Sequence, residues 1–289
     1  MTVIPRLRKI AEFLKASYRA IRVSSVLCFA SATIVGAVLA GSLINLRMVW
    51  LLTFSFFSAA FAFVINDLSD AELDRSAGVL RNPVSSGDLS LRGCVSRTFL
   101  LLLVSVAALL SLSLQSQLLG LVVISIYFTY SWGVRAKARP VFDIAYHGLG
   151  PAIFATIGYI EYRPFDVTCF FLASLVFLLS AISQILQEVR DYETDRKMVK
   201  TTVTLLGKKL SLILCLVFFV FAFVLLFLLL FYGVVPFSIL LMSPLAYFIV
   251  APIIRAIVNE EYENKMLRDI KEKRLILIAI LIVALILEV

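Results

Sequence analysis

Charge is scarce in this chain. Only 16% of its 289 residues are charged against 61% hydrophobic, and the mean hydropathy is +1.00. That balance excludes a soluble domain of this length and reads as an integral membrane protein. Short segments of alternating polarity are missing too. Continuous Leu, Ile, Val, Phe and Ala runs stand in their place, which excludes a barrel and favours helices that satisfy their own backbone hydrogen bonds. The four cysteines, Cys28, Cys94, Cys169 and Cys215, lack metal-ligand spacing and read as small apolar residues inside helices. No basic stretch is interleaved with aromatics, so the net charge of +8 is a topology signal and no nucleic-acid partner is expected. The N-terminal stretch lacks a signal-peptide cleavage pattern and is expected to stay in the mature protein.

Nine apolar stretches are long enough to cross a bilayer, at about 24–44, 48–66, 93–113, 116–134, 141–160, 166–188, 209–232, 235–257 and 272–289. With the N-terminus inside, 25 of the 27 Lys and Arg residues fall on one side, and only Arg47 and Arg163 fall on the other. The positive-inside rule makes that side cytoplasmic, in the plasma membrane. Residues 1–23 place Leu7, Ile10, Phe13 and Leu14 among six cations, as expected of an amphipathic segment lying on an anionic inner leaflet. The whole of 1–289 reads as a single membrane domain, a parallel repeat of four helices with a ninth appended. The polar stretches 66–92, 191–209 and 259–274 are expected to be loops with short helical pieces that cap the membrane core.

What is present against this background is acid. The runs Asn66-Asp67-Leu68-Ser69-Asp70-Ala71-Glu72-Leu73-Asp74 and Glu188-Val189-Arg190-Asp191-Tyr192-Glu193-Thr194-Asp195 each close a long apolar segment. Ionisable groups near hydrocarbon are costly unless they face a cavity, pair with a cation or serve a ligand, so these runs are the candidate site. On a helix, Asp67, Asp70 and Asp74 lie at about 100°, 40° and 80° from Asn66, all on one face. Asp191 and Asp195 share a stripe that Glu188 and Gln184 extend toward the membrane. Carboxylates converging in a partly desolvated site call for a hard divalent cation with oxygen ligands. Mg²⁺ bridges a few carboxylates to substrate phosphates, so two opposed acidic helix ends point to a diphosphate between them. The connection Tyr130-Ser131-Trp132-Gly133-Val134-Arg135-Ala136-Lys137-Ala138-Arg139-Pro140 offers donors for phosphoryl oxygens. A site with metals and cations that opens into lipid fits a diphosphate carrying a hydrophobic tail.

Together, NDxxDxxxD at Asn66 to Asp74, DxxxD at Asp191 to Asp195 and YSxxxRxKxxP at Tyr130 to Pro140 resemble the UbiA superfamily of intramembrane prenyltransferases, over nearly the whole chain. The resemblance implies an all-α integral membrane protein. Nine transmembrane helices would surround a central cavity open to lipid, with cytoplasmic caps. It also implies Mg²⁺-dependent transfer of a prenyl group from an isoprenyl diphosphate to a lipophilic or aromatic acceptor. By position it makes Asn66, Asp70 and Asp74, with Asp67 beside them, and Asp191 and Asp195 the ligands of two Mg²⁺ ions, to which the helical stripe adds Glu188. Asn66, Tyr130, Arg135, Lys137 and Arg22 become substrate-binding residues, and Asp70, Asp191 and Lys137 catalytic ones. Where many members place Arg-Pro before a Ser-Gly turn, this chain has Arg81-Asn82-Pro83-Val84-Ser85-Ser86-Gly87. The run Arg190 to Arg196 is closer to menaquinone-type and archaeal lipid-type members than to the ubiquinone-type branch.

Several residues have a structural reading beside a functional one. His147 is the single histidine and is either an acceptor-side base or a hydrogen-bonded interior residue. Asp143 orients Lys137, reaches an acceptor or stabilises a helix N-terminus. Gly148, Gly150 and Pro151 permit close helix approach or a kink. A cation or solute transporter is the rival reading of the acidic clusters. Their position at helix ends rather than the bilayer midplane, beside repelling cations, opposes it.

Overall fold

The computed structural model describes residues 17–42, 45–78, 80–235 and 243–259. Most of the expected N-terminal amphipathic segment and the whole expected ninth span, 272–289, lie outside the described residues. Within them the chain is all helix: α1 Val23–Leu39, α2 Leu46–Ser76, α3 Leu91–Leu109, α4 Leu114–Ser131, a 3₁₀ turn Ala136–Ala138, α5 Phe142–Ile160, α6 Val167–Asp195, α7 Thr202–Leu206, α8 Lys208–Phe231 and α9 Ser243–Val258. No strand occurs among the described residues. Four of the long helices start at side-chain caps, in which Asn45, Ser90, Ser113 and Asp166 accept from the amides of Met48, Gly93, Ser116 and Cys169.

Among the described residues five helices, α2, α3, α4, α6 and α8, are long and apolar enough to cross a membrane. Their outward faces agree with that solvent. On α8, Val217, Val220, Phe221, Val224, Phe227 and Phe231 are all exposed, an apolar surface that suits lipid and not water. The seven stretches expected from 24 to 232 coincide with α1 to α6 and α8, and the eighth overlaps α9.

The acidic runs that open two of the polar stretches are helix ends, as their one-sided geometry assumes, and only the remainder of each described stretch is loop and short helix. The run from Asn66 continues α2 as helix to Ser76, and the run from Asp191 continues α6 to Asp195. Hydropathy marks where apolar side chains stop, whereas a helix ends where its backbone bonds stop. At 31 and 29 residues, α2 and α6 are each about 45 Å long, against a hydrocarbon core of about 30 Å. Their last turns therefore project past the apolar layer and carry the acids with them. Carboxylates at a helix C-terminus oppose the helix dipole, so cations from elsewhere must answer them.

Helices α1 and α5 cross in near contact. A Cβ added at Gly36 would lie 2.0 Å from the Ala155 carbonyl oxygen, and one at Gly158 would lie 2.1 Å from the Thr33 carbonyl oxygen. Small residues on both helices let the backbones touch. Nearer the cavity the same two helices meet through Phe29 of α1 and His147 of α5, whose rings lie edge-on at 5.1 Å.

Candidate active site

A cavity of ≈ 380 Å³ lies between the acid-bearing ends of α2 and α6. Asn66, Asp70 and Asp74 line it from α2, and Gln184, Glu188, Asp191 and Asp195 line it from α6. Arg22, Arg81, Arg135, Lys137 and Arg190 bring five cations to the same space. Its inner wall is aromatic, with Phe29, Phe63, Tyr127, Tyr130, Tyr146 and His147.

Lys137 reaches this space because the chain turns sharply after α4. Arg135 adopts a left-handed conformation, φ 49°, which opens the 3₁₀ turn carrying Lys137. The Lys137 Nζ donates to Asn66 Oδ1 at 2.9 Å, Ser69 Oγ at 2.8 Å and Asp70 Oδ1 at 2.7 Å. Burial pushes its ammonium below the ordinary lysine range, and the Asp70 carboxylate opposes that shift. Arg135 stands farther off, 3.5 Å from the same Asp70 oxygen. Ser131 Oγ donates to Asn66 Oδ1 at 3.3 Å, completing the tie between the first acidic run and the end of α4.

The second acidic run is answered by two arginines. Arg190 donates to both oxygens of Asp191, at 2.9 and 2.7 Å, and Arg81 lies 3.2 Å from Asp191 Oδ2. Asp74 accepts from Asn82 Nδ2 at 2.8 Å. The Asn82 side chain also donates to the Asp67 carbonyl, so the turn after α2 is fastened to the motif itself.

Two expected metal ligands sit differently from the rest. Asp67 is 1% exposed and is not part of the cavity wall. One of its oxygens pairs with Arg22, and the other is buried without a hydrogen-bond partner. At about 100° from Asn66 it lies at the edge of the predicted arc, and there the wall gives way to the head of α1. Arg22, left-handed at φ 54°, is held by this pair with its guanidinium 5.4 Å from the Phe63 ring centre. Glu188 does line the cavity, but its Oε1 accepts from Gln184 at 2.8 Å and its Oε2 from the Val203 amide at 3.4 Å. Gln184 in turn donates to the Tyr130 hydroxyl at 3.2 Å, which is how Tyr130 joins the site.

His147 lies 3.2 Å through Nδ1 from the Ser180 carbonyl oxygen and packs edge-on against Phe29 at 5.1 Å. A carbonyl only accepts, so Nδ1 carries the proton. Asp143 is not on the cavity wall; it is buried against Thr202.

Arg81 and Arg190 are the site residues that sequence reasoning left unassigned. Arg190 adjoins Asp191 in sequence, and such a pair reads as a solvated face until the helix places it. Met198, Val199 and Thr201 also line the cavity from the segment after α6. Nothing in their chemistry marks them.

The donor set fits Mg²⁺. Hard oxygens from Asn66, Asp70, Asp74, Asp191 and Asp195 face one space, and most are held by side chains that a metal ion and a phosphate can displace. Among the described residues no three His, Cys, Asp or Glu side chains already converge on one point. That suits an ion that takes one or two carboxylates and leaves its remaining positions to water and substrate phosphate.

Residues 29–268 match the family model described as UbiA prenyltransferase family. No match is found among curated proteins. Among solved structures, a UbiA homologue from Archaeoglobus fulgidus bound to DMAPP and Mg²⁺ superposes with a TM-score of 0.74 at 24% identity, covering 93% of this chain and 97% of its own. The same homologue has also been solved with GPP and Mg²⁺. The apo UbiA homologue from Aeropyrum pernix K1 gives 0.74 at 18% identity, with 92% and 98% covered. A structure of digeranylgeranylglyceryl phosphate synthase gives 0.71 at 19%, with 94% and 98% covered. At these identities the likeness is one of fold.

Proposed function

We propose, from the premise that this chain belongs to the UbiA prenyltransferase family, that it moves a polyprenyl group from an isoprenyl diphosphate to a lipophilic or aromatic acceptor in this cavity, releasing diphosphate. One observation carries the reading: the acidic ends of α2 and α6 share a single space with five cations, above an aromatic interior. Acids for metal and cations for phosphoryl oxygens are needed together by a diphosphate, and aromatic walls suit its hydrocarbon tail. The DMAPP and GPP held with Mg²⁺ by the A. fulgidus homologue support the same substrate class.

Asn66, Asp70 and Asp74 would hold one Mg²⁺ and Asp191 and Asp195 a second. Metal bound there supplies neutralisation of the charge that gathers on the diphosphate as the allylic C1–O bond breaks. Lys137, whose three N–H donors serve Asn66, Ser69 and Asp70, would turn one of them to the phosphoryl oxygens from a site already stripped of water. Arg135, Arg81, Arg190 and Arg22 surround the same charge. Phe29, Phe63 and Tyr146 pack against the allylic carbons and keep water from the developing cation. Asp67 holds Arg22 in place. Bond breaking rests on Asp70, Asp191 and Lys137.

The chain crosses the plasma membrane nine times, with the cavity mouth cytoplasmic. This rests on the partition of Lys and Arg and on the five helices of spanning length. The acceptor is a quinone precursor or an archaeal-type ether-lipid precursor. The run Arg190 to Arg196 favours these branches, and the fold likeness to digeranylgeranylglyceryl phosphate synthase agrees.

The test is mass spectrometry of lipid products from the purified protein in nanodiscs, given geranylgeranyl diphosphate, Mg²⁺ and a panel of such acceptors. A prenylated product is expected, and Asp70→Ala and Asp191→Ala should each lower its rate by at least about 100-fold. Full activity in either variant would overturn the metal assignment.

A further inference from the structure

Residues 196–201 run from the end of α6 to the start of α7 and present Met198, Val199 and Thr201 to the cavity. One end of this strap is fixed by α6 itself, where the amides of Met198 and Val199 donate to the Asp195 carbonyl at 2.9 and 2.8 Å. The other end is fixed by two carboxylates that reach in from separate helices. Asp143, in the first turn of α5 and 0% exposed, accepts from the Thr202 amide at 2.5 Å and from the Thr202 hydroxyl at 2.6 Å. The Thr202 hydroxyl accepts in turn from the Val141 amide at 2.7 Å. Glu188, on α6, accepts from the Val203 amide and, through Gln184, connects to Tyr130.

A fully buried carboxylate persists only where N–H and O–H donors replace its water. For Asp143 the partners are the neighbouring Ile144 amide, the amide and hydroxyl of Thr202, and the carboxyl of Glu188, the other residue that holds this end of the strap. Its investment is in the strap, because it lines no part of the cavity. We propose that Asp143 and Glu188 are positioning residues that clamp the strap 196–201 across the diphosphate end of the cavity, with Glu188 serving the strap rather than a metal ion. The proposal rests on the prenyl diphosphate reading for its consequence, but not for the clamp itself. A released strap leaves only a fraction of molecules with a complete cavity wall, and apparent affinity falls by that fraction.

Two measurements on the full chain in nanodiscs test this. Hydrogen exchange over 196–203 reads the clamp without substrate, and the Kd for geranylgeranyl diphosphate with Mg²⁺ reads its effect. Asp143→Asn and Thr202→Val should each speed that exchange and weaken binding by about tenfold, as expected when a charge-assisted hydrogen bond is lost. Thr202→Ser keeps the hydroxyl and should match the unsubstituted protein in both. Glu188→Gln should leave the Mg²⁺ concentration for half-maximal binding unchanged. Unaltered exchange in both Asp143→Asn and Thr202→Val overturns the clamp, and a raised Mg²⁺ requirement in Glu188→Gln overturns the assignment of Glu188. If the unsubstituted protein binds no prenyl diphosphate, the functional reading fails, while exchange still decides the clamp.

Discussion

Lys137 does more than add one charge to the site. It bonds Asn66, Ser69 and Asp70 at once, so the first acidic run is organised around it. Removing it takes a donor from all three, leaving Ser131 to Asn66 and Arg135 to Asp70, and takes away a preorganised cation. Lys137→Met should therefore cut kcat/KM by about 10²- to 10³-fold. Lys137→Arg should recover little, since a planar fork cannot reproduce a compact ammonium with three acceptors. Steady-state kinetics of the two variants decides this. Asp67 tests the boundary between ligand and support. Asp67→Asn should loosen Arg22 and raise KM for prenyl diphosphate about tenfold, with the Mg²⁺ dependence unchanged. A shifted Mg²⁺ optimum would instead make Asp67 a ligand. The sequence alone could not separate the two roles. Helical geometry put Asp67 at the rim of the acidic arc, and only the position of Arg22, 45 residues away in sequence, shows which way that rim faces.

At the scale of elements, the site depends on two long helices, and the bundle around it on close crossings. The acidic runs were legible as helix ends that follow apolar segments, but the residue at which each helix stops was not. Chemistry in a row of side chains says nothing about whether the backbone keeps its bonds. The close approaches of α5 were legible toward α6 and α4 but not toward α1. Gly148 and Gly150 were expected to allow close approach, and a Cβ at each would meet the Phe177 ring at 2.7 Å and the Tyr127 hydroxyl at 2.5 Å. Gly36 and Gly158 carried no such signal, because a single glycine in an apolar run looks the same whether it faces lipid or a neighbour. Their added methyls would meet backbone, which cannot rotate aside. Gly36→Ala and Gly158→Ala should each destabilise the protein by about 1–3 kcal/mol, read as a lower midpoint in thermal unfolding in detergent. A midpoint equal to that of the unsubstituted protein would mean the helices do not touch.

For the molecule as a whole, an apolar exterior and a charged interior end belong to one design. Lipid is the solvent for the outer faces of helices such as α8, while the acids and cations neutralise one another around a cavity that also has aromatic walls. A cation pathway would need acids without this ring of arginine and lysine, which repels a passing metal ion. A diphosphate needs both. The most direct measurement is diphosphate release from geranylgeranyl diphosphate by the purified protein in nanodiscs with an acceptor panel, with Mg²⁺ and then with Mg²⁺ chelated. The account predicts release that tracks prenylated product one for one and stops on chelation. Release that continues undiminished without divalent metal, or none with any acceptor, would contradict it.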